Sequence, residues 1–272
     1  MEHTKQVLIL YHSGAGSTKT IAEIFCKLLQ KYSTDIVAIN PDFEYKRLKN
    51  YELLIFAFPT YHCSPSISMS EFIMNMPVFE VTKKAFVFTT YGLYPGNTLR
   101  EFSKMCRSKN INLYGYTGYR SPATDGSLLL PHITFMFKYE KKIINKLKTD
   151  IQLVDSILLD KVNKPSYPPF KCYSIFNYPN KVLGKRHKHR LSVLAEHCIN
   201  CNKCISNCMR KCWGGQELPL HSVQNCEFCF RCVHHCPMSA IVLSPKTYKK
   251  SKFNESFYIK LKDKILEELQ KE

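Results

Sequence analysis

The sequence of 272 residues predicts an α/β fold, a doubly wound parallel sheet of five strands, with a smaller cysteine-framed domain behind it. Three observations predict it. Short apolar runs alternate with segments of helical periodicity up to about residue 160. Three of those runs are almost unbroken in apolar residues, as strands covered on both faces must be. Nine of the thirteen cysteines fall between Cys198 and Cys236, so two compositions share one polypeptide.

The strands are expected at 7–11, 35–39, 53–58, 85–91 and 111–115. Between them Ile21, Ile24, Phe25, Leu28 and Leu29 recur at helical spacing, as do Leu99, Phe102 and Cys106, which marks crossover helices. A longer helix is predicted over 138–160, where Ile144, Leu147, Ile151, Val154 and Leu158 step along one face. Pro165, Pro168 and Pro169 then forbid helix and mark a boundary. The division is therefore 1–163 for the α/β domain, 164–194 for a basic linker, 195–245 for the cysteine domain and 246–272 for an amphipathic helix carrying Leu261, Ile265 and Leu269. No repeat is visible apart from the cysteine motif.

Composition bounds the function. At 44% hydrophobic and 12% aromatic content the chain can build an ordinary core, which excludes disorder as its general state. No apolar run approaches the ~18–20 residues of a spanning helix, and the N-terminus lacks a signal-peptide pattern, so a soluble cytoplasmic protein is expected. Thiols would stay reduced there, and a dense cysteine cluster points to metal rather than disulfides. Lys and Arg number 39 against 22 Asp and Glu, a formal net charge of +17, and the excess is greatest between Lys138 and Arg190. That block suits an acidic partner, nucleic acid or an anionic surface, but no aromatic-plus-basic recognition motif accompanies it, so it reads first as a solvated face and linker.

Two runs carry the chemistry: Cys198, Cys201, Cys204 and Cys208, then Cys226, Cys229, Cys232 and Cys236 followed by Pro237. Three thiolates at this spacing can wrap three corners of a cubane while a fourth comes from elsewhere in the chain. Structural zinc is the other metal such pairs hold, but eight thiolates and the Cys-Pro ending exceed what a zinc ribbon needs. In the first run Met209 stands where proline would be and Cys212 follows, so Cys208 fits by spacing and Cys212 remains an alternative ligand.

After the first strand, Ser13, Gly14, Ala15, Gly16, Ser17 and Thr18 lead straight into a helix, and free N–H groups with the helix dipole make that an anion site. The glycine spacing matches neither a Walker loop nor a dinucleotide loop, which leaves a mononucleotide phosphate. Pro59, Thr60 and Tyr61 end the third strand, and Thr90, Tyr91 and Gly92 end the fourth. All three loops would meet at the carboxyl ends of the strands, with hydroxyls below and aromatic rings beside a flat ligand.

At these residues the chain resembles the flavodoxin-ferredoxin fusion proteins of anaerobic bacteria, over residues 5–160 and 195–245. The resemblance implies a flavodoxin-like domain followed by a small α+β bacterial-type domain with two four-iron clusters. It further implies FMN, its phosphate held by Ser13, Gly14, Gly16, Ser17 and Thr18, and its ring flanked by Tyr61 and Tyr91. The fourth cysteine of each run would cross over, so that one cluster takes Cys198, Cys201, Cys204 and Cys236, the other Cys226, Cys229, Cys232 and Cys208. Ala15 and Ser17 depart from the family's phosphate loop. The expected function is low-potential electron transfer coupling FMN to the clusters and serving redox partner proteins, acidic ones among them. A flavin-dependent reductase of a small substrate is the alternative, as are an electron carrier whose α/β half has lost its flavin and a zinc-holding nucleic-acid-binding protein. Ile199, Ile205, Val233 and Ile241 are expected to bury the thiolates, and His234 and His235 either to hydrogen-bond a cluster or to face solvent.

Overall fold

The computed structural model describes residues 4–129, 137–177, 191–248, 250 and 252–271. Five parallel strands, β1 (Gln6–Tyr11), β2 (Ser33–Ala38), β3 (Leu53–Tyr61), β5 (Lys83–Tyr91) and β6 (Ile111–Arg120), form one sheet in the order β2-β1-β3-β5-β6. A two-residue strand, β4 (Ser64–Pro65), pairs antiparallel with the end of β3. Counting the parallel strands alone, this is the 2-1-3-4-5 order of flavodoxin-like sheets, whose direction of winding reverses between β1 and β3. The N-terminal domain is thus flavodoxin-like, as expected.

Alternation sends successive residues of β1 to opposite cores. Val7 and Ile9 join Phe25, Phe86, Phe88 and Tyr119 on one face, beneath α1 (Ser17–Leu28) and α5 (Ile143–Leu158). Leu8 and Leu10 join Phe56, Phe58, Met69 and Phe102 on the other, beneath α2 (Ile67–Asn75) and α3 (Thr98–Ser108). A single turn, α4 (Gly126–Leu129), precedes α5. The long helix starts five residues later than its periodicity suggested, because the Glu140 N–H bonds the Arg120 carbonyl and holds the preceding chain to the end of β6.

The cysteine domain is duplicated, which corrects the expectation that only the cysteine motif repeats. Strand β7 (Ser192–Val193) pairs with β10 (Ile241–Val242), and β8 (Trp213–Gly214) pairs with β9 (Leu220–His221). A shift of 28 residues carries β7 onto β9, β8 onto β10, and helix α6 (Lys203–Ser206) onto α7 (Arg231–His235). The same shift superimposes the left-handed residues Asn200, Asn202 and Lys211 on Phe228, Phe230 and Ser239, all with φ between 49° and 55°. Left-handed backbone costs a phenylalanine on the order of 1 kcal/mol, and its repetition marks turns imposed by the cysteines they present.

The last helix, α8 (Glu255–Lys271), returns to the α/β domain. Ile265 enters its core, Leu261, Leu266 and Leu269 pack beside it, and Lys262 pairs with Glu23 of α1 at 2.7 Å. Among the described residues no helix is long and apolar enough to cross a membrane. Residues 178–190 of the basic linker, including the charged stretch 181–190, lie outside the described residues.

Candidate functional site

Two cavities open between the halves of the cysteine domain. One is lined by Cys198, Cys201, Cys204 and Cys236, with Cys232 also at its wall, the other by Cys208, Cys226, Cys229 and Cys232, with Cys204 and Cys212 also at its wall. Cys236, from the second run, thus lines the cavity of the first run's cysteines, and Cys208, from the first run, lines that of the second. No cysteine among the described residues is in a disulfide, and no three His, Cys, Asp or Glu side chains among them converge on a single metal ion.

Backbone N–H groups point at the crossing sulfurs. Ala240 N–H donates to Cys236 Sγ at 3.2 Å, and Cys212 N–H donates to Cys208 Sγ at 3.3 Å. Cys212 thus stands in the first half where Ala240 stands in the second, at the position of a sulfur donor. Its thiol also lies in hydrogen-bond contact with Cys208 and Cys226, which holds the first at about 6 and the second at about 5, below the usual thiol range. Burial pushes the thiols of Cys229 and Cys232 up.

The two cavities differ in surroundings. Cys201 is exposed, and Ile199 lines the first cavity while remaining 60% exposed, whereas Val233 and Ile241 are buried. The second cavity faces the α/β domain, and His12 and Ser13 from the end of β1 complete its wall. Ser13 Oγ is buried without a protein hydrogen-bond partner.

A buried carboxylate joins the domains. Glu227, between two of the cysteines, pairs with His12 Nε2 at 2.7 Å and accepts from the Ser68 N–H at 3.1 Å and Ser68 Oγ at 3.0 Å. Ser68 lies in the first turn of α2, so the charge also meets the positive end of that helix. Burial alone would raise this carboxyl, but the charge of His12 and the Ser68 hydrogen bonds outweigh it and hold the group at about 2. Arg210 and Glu71 form a second bridge across the same seam. His234 proves to be an anchor rather than an exposed or cavity-facing group, while the half-buried His235 both anchors the Ala15 loop and lines the first cavity. His234 donates from Nε2 to the Thr124 carbonyl at 3.0 Å and accepts the Phe253 N–H on Nδ1 at 3.0 Å, while His235 reaches the Ala15 carbonyl at 2.5 Å. Burial lowers His234 to about 3, so the ring is neutral.

The three strand-end loops meet as expected. Thr18 Oγ1 lies 2.7 Å from Thr90 Oγ1, Thr60 Oγ1 lies 2.8 Å from Thr89 Oγ1, and the Tyr61 hydroxyl closes on Gly14. Pro59 pairs in register with Thr90, while Tyr91 and Gly92 are partly buried at the neighbouring edge. The anion loop, however, is covered by the chain itself. A Cβ on Gly14 would come within 2.3 Å of the Tyr61 hydroxyl and 2.9 Å of the Cys229 carbonyl oxygen. Gly16, at φ 148°, has the Tyr258 ring where a Cβ would stand, and the Tyr258 hydroxyl sits 3.0 Å from Ser17 Oγ. Ser13, Gly14 and Ala15 are all buried. Ser17 and Thr18 offer the donors a phosphate needs, but the space before them holds a phenol.

Sequence reasoning missed Tyr258, His12, Ser68 and Glu227 as parts of the site. Tyr258 is separated from Ser17 by 241 positions and nothing local distinguishes it; Glu227 carried the one available signal, an acidic residue between two ligand-spaced cysteines.

A scan of protein-family models and a search of curated proteins return no match. Among solved structures the chain is similar to flavodoxins. It matches a flavodoxin from the domain Archaea at 16% identity and TM-score 0.41, over 58% of this chain and 99% of that one. It matches the Streptococcus pneumonia TIGR4 flavodoxin at 13% identity and TM-score 0.42, over 56% and 99%. Oxidised flavodoxin 2 from Bacillus cereus follows at 16% identity and TM-score 0.41, over 56% and 99%. The strand order, not these scores, carries the fold.

Proposed function

We propose that the chain is an electron-transfer protein whose cysteine domain holds two four-iron clusters and whose α/β domain is the flavin half of the pair. The observation that carries it is the crossed arrangement: Cys198, Cys201 and Cys236 line one cavity, Cys208, Cys226 and Cys229 line the other, Cys204 and Cys232 stand between them, and one 28-residue duplication relates the halves. Eight thiolates spread around two cavities, each crossing sulfur with its own N–H donor, fit cubanes whose corners bind separate sulfurs. When bound, each cluster supplies one-electron transfer. The chain's own part is placement and tuning through Ala240 N–H, Cys212 N–H and the burial given by Val233 and Ile241.

The two sites divide the labour. The second cavity shares a wall with the end of β1, so electrons pass there between the domains. The first opens to solvent beside Cys201, Ile199 and Met238, where a partner protein docks, and the net charge of +17 favours an acidic one. FMN enters from the resemblance. Its donor set is present at Ser17 and Thr18, but the phosphate does not fit while Tyr258 stands on Ser17, so no step is assigned to it.

A second reading follows from that contact: the α/β domain serves as a docking scaffold without flavin. Iron, sulfide and flavin analysis after purification without oxygen separates the two. Iron and sulfide with FMN supports the first, iron and sulfide alone supports the second, and zinc in their place refutes both.

A further inference from the structure

The C-terminal helix begins its course across the α/β domain on the anion loop. Tyr258 is 5% exposed, its ring lies against Gly16, and its hydroxyl sits 3.0 Å from Ser17 Oγ. Ser17 is the first residue of α1, so the phenol oxygen occupies the place an anion would take at that helix end. Its neighbours reinforce the placement. Phe257 meets the Tyr258 ring edge-on at 5.2 Å between centroids, Phe253 lies 6.4 Å away, and Tyr139 donates to the Ser17 carbonyl at 2.9 Å. Nothing holds the helix covalently: Lys262 with Glu23 and the buried Ile265 dock it.

We propose that α8 is a built-in stopper of the strand-end site, Tyr258 standing in for the phosphate of a flavin mononucleotide, so that FMN and the docked helix exclude each other. This rests on the reading that the loop takes FMN, but not on the clusters. A phosphate presents several acceptors to Ser17, Thr18 and the free N–H groups, whereas the phenol satisfies Ser17 alone. The stopper therefore keeps Ser17 paired when flavin is absent and yields when it arrives. The apparent affinity for FMN is the intrinsic one reduced by the fraction of molecules with α8 undocked.

The test titrates FMN and riboflavin, by fluorescence, into the full-length cluster-loaded chain and its Tyr258→Ala and Tyr258→Phe variants. Tyr258→Ala is expected to bind FMN at least about tenfold more tightly than the wild type, with riboflavin, which lacks phosphate, unchanged. Tyr258→Phe keeps the ring over Gly16 and is expected to stay within about threefold of the wild type. In the wild type, bound FMN is expected to release amide protection over residues 255–271, a readout that needs no variant. Equal FMN affinity of wild type and Tyr258→Ala, including no binding by either, overturns the proposal, as does an equal gain for riboflavin or FMN bound with α8 still protected. None of those results bears on iron content, so failure here is distinct from failure of the electron-transfer reading.

Discussion

Replacing Glu227 by alanine removes the carboxylate that ties the cysteine domain to the α/β domain. The residue is 4% exposed and His12 is 6% exposed, so the pair is shielded from bulk water. His12 Nε2, the Ser68 N–H and Ser68 Oγ are left unsatisfied together. Breaking a buried pair in this way costs about 3–5 kcal/mol. The titration of the group gives a similar figure: a carboxyl moved from 4.5 to about 2 corresponds to about 3 kcal/mol at neutral pH. Because the folded value is the lower one, that contribution is complete above pH 4.5 and is lost as the pH falls toward 2. For a chain of this size each kcal/mol moves the melting temperature by about 2 °C or more, so thermal unfolding of the cluster-loaded variant should begin about 6 °C or more below the wild type. A double-mutant cycle with His12→Ala should show coupling above about 1 kcal/mol. A Glu227→Ala protein that melts within about 1 °C of the wild type, with no coupling to His12, would refute the reasoning.

Other expectations follow from the same geometry. Cys208→Ser should lose one cluster and Cys212→Ser should retain both, since Cys212 serves through its backbone N–H as Ala240 does; iron content of the two variants decides it. Gly16→Ala combines a strained φ of 148° with a clash against Tyr258, and should destabilise by about 1–3 kcal/mol in chemical denaturation while loosening α8 in amide exchange. If the buried Ser13 hydroxyl donates toward the second cluster, Ser13→Ala should lower one of the two reduction potentials by about 40 mV, the equivalent of one hydrogen bond of about 1 kcal/mol. Redox titration followed by electron paramagnetic resonance would show it, and two unchanged potentials would remove Ser13 from the cluster's surroundings.

Much of the α/β domain is legible because burial on both faces leaves a mark that a single residue cannot blur. Strand β3, apolar from Leu53 to Phe58, was placed to within three residues, and it runs on to Tyr61 because Pro59 still pairs with Thr90 through its neighbours' backbone. Strand β6 runs past the expected 115 to Arg120: buried and half-exposed positions alternate along all of it, but beyond 115 the buried positions are Thr117 and Tyr119 beside Gly118, which carry little apolar signal. The cysteines declared themselves by spacing alone. Their duplication did not, because the shared feature is left-handed backbone, which Asn200 and Asn202 signal and Phe228 and Phe230 conceal. Ser17 and Thr18 were legible as phosphate donors from the loop's composition, but the phenol that covers Ser17 comes from the far end of the chain. Likewise nothing near Ser13 indicated that it would border a cysteine cavity. What local sequence cannot carry is the docking of one domain on another, and that docking decides which donors remain open.

The central claim is that eight crossed cysteines hold two iron-sulfur cubanes. Purification under strict exclusion of oxygen, followed by iron, zinc and acid-labile sulfide analysis, tests it most directly. About eight iron and about eight sulfide per chain are predicted, lost by half when Cys236 is replaced by serine. A folded protein that carries zinc, or no iron at all, would contradict the account.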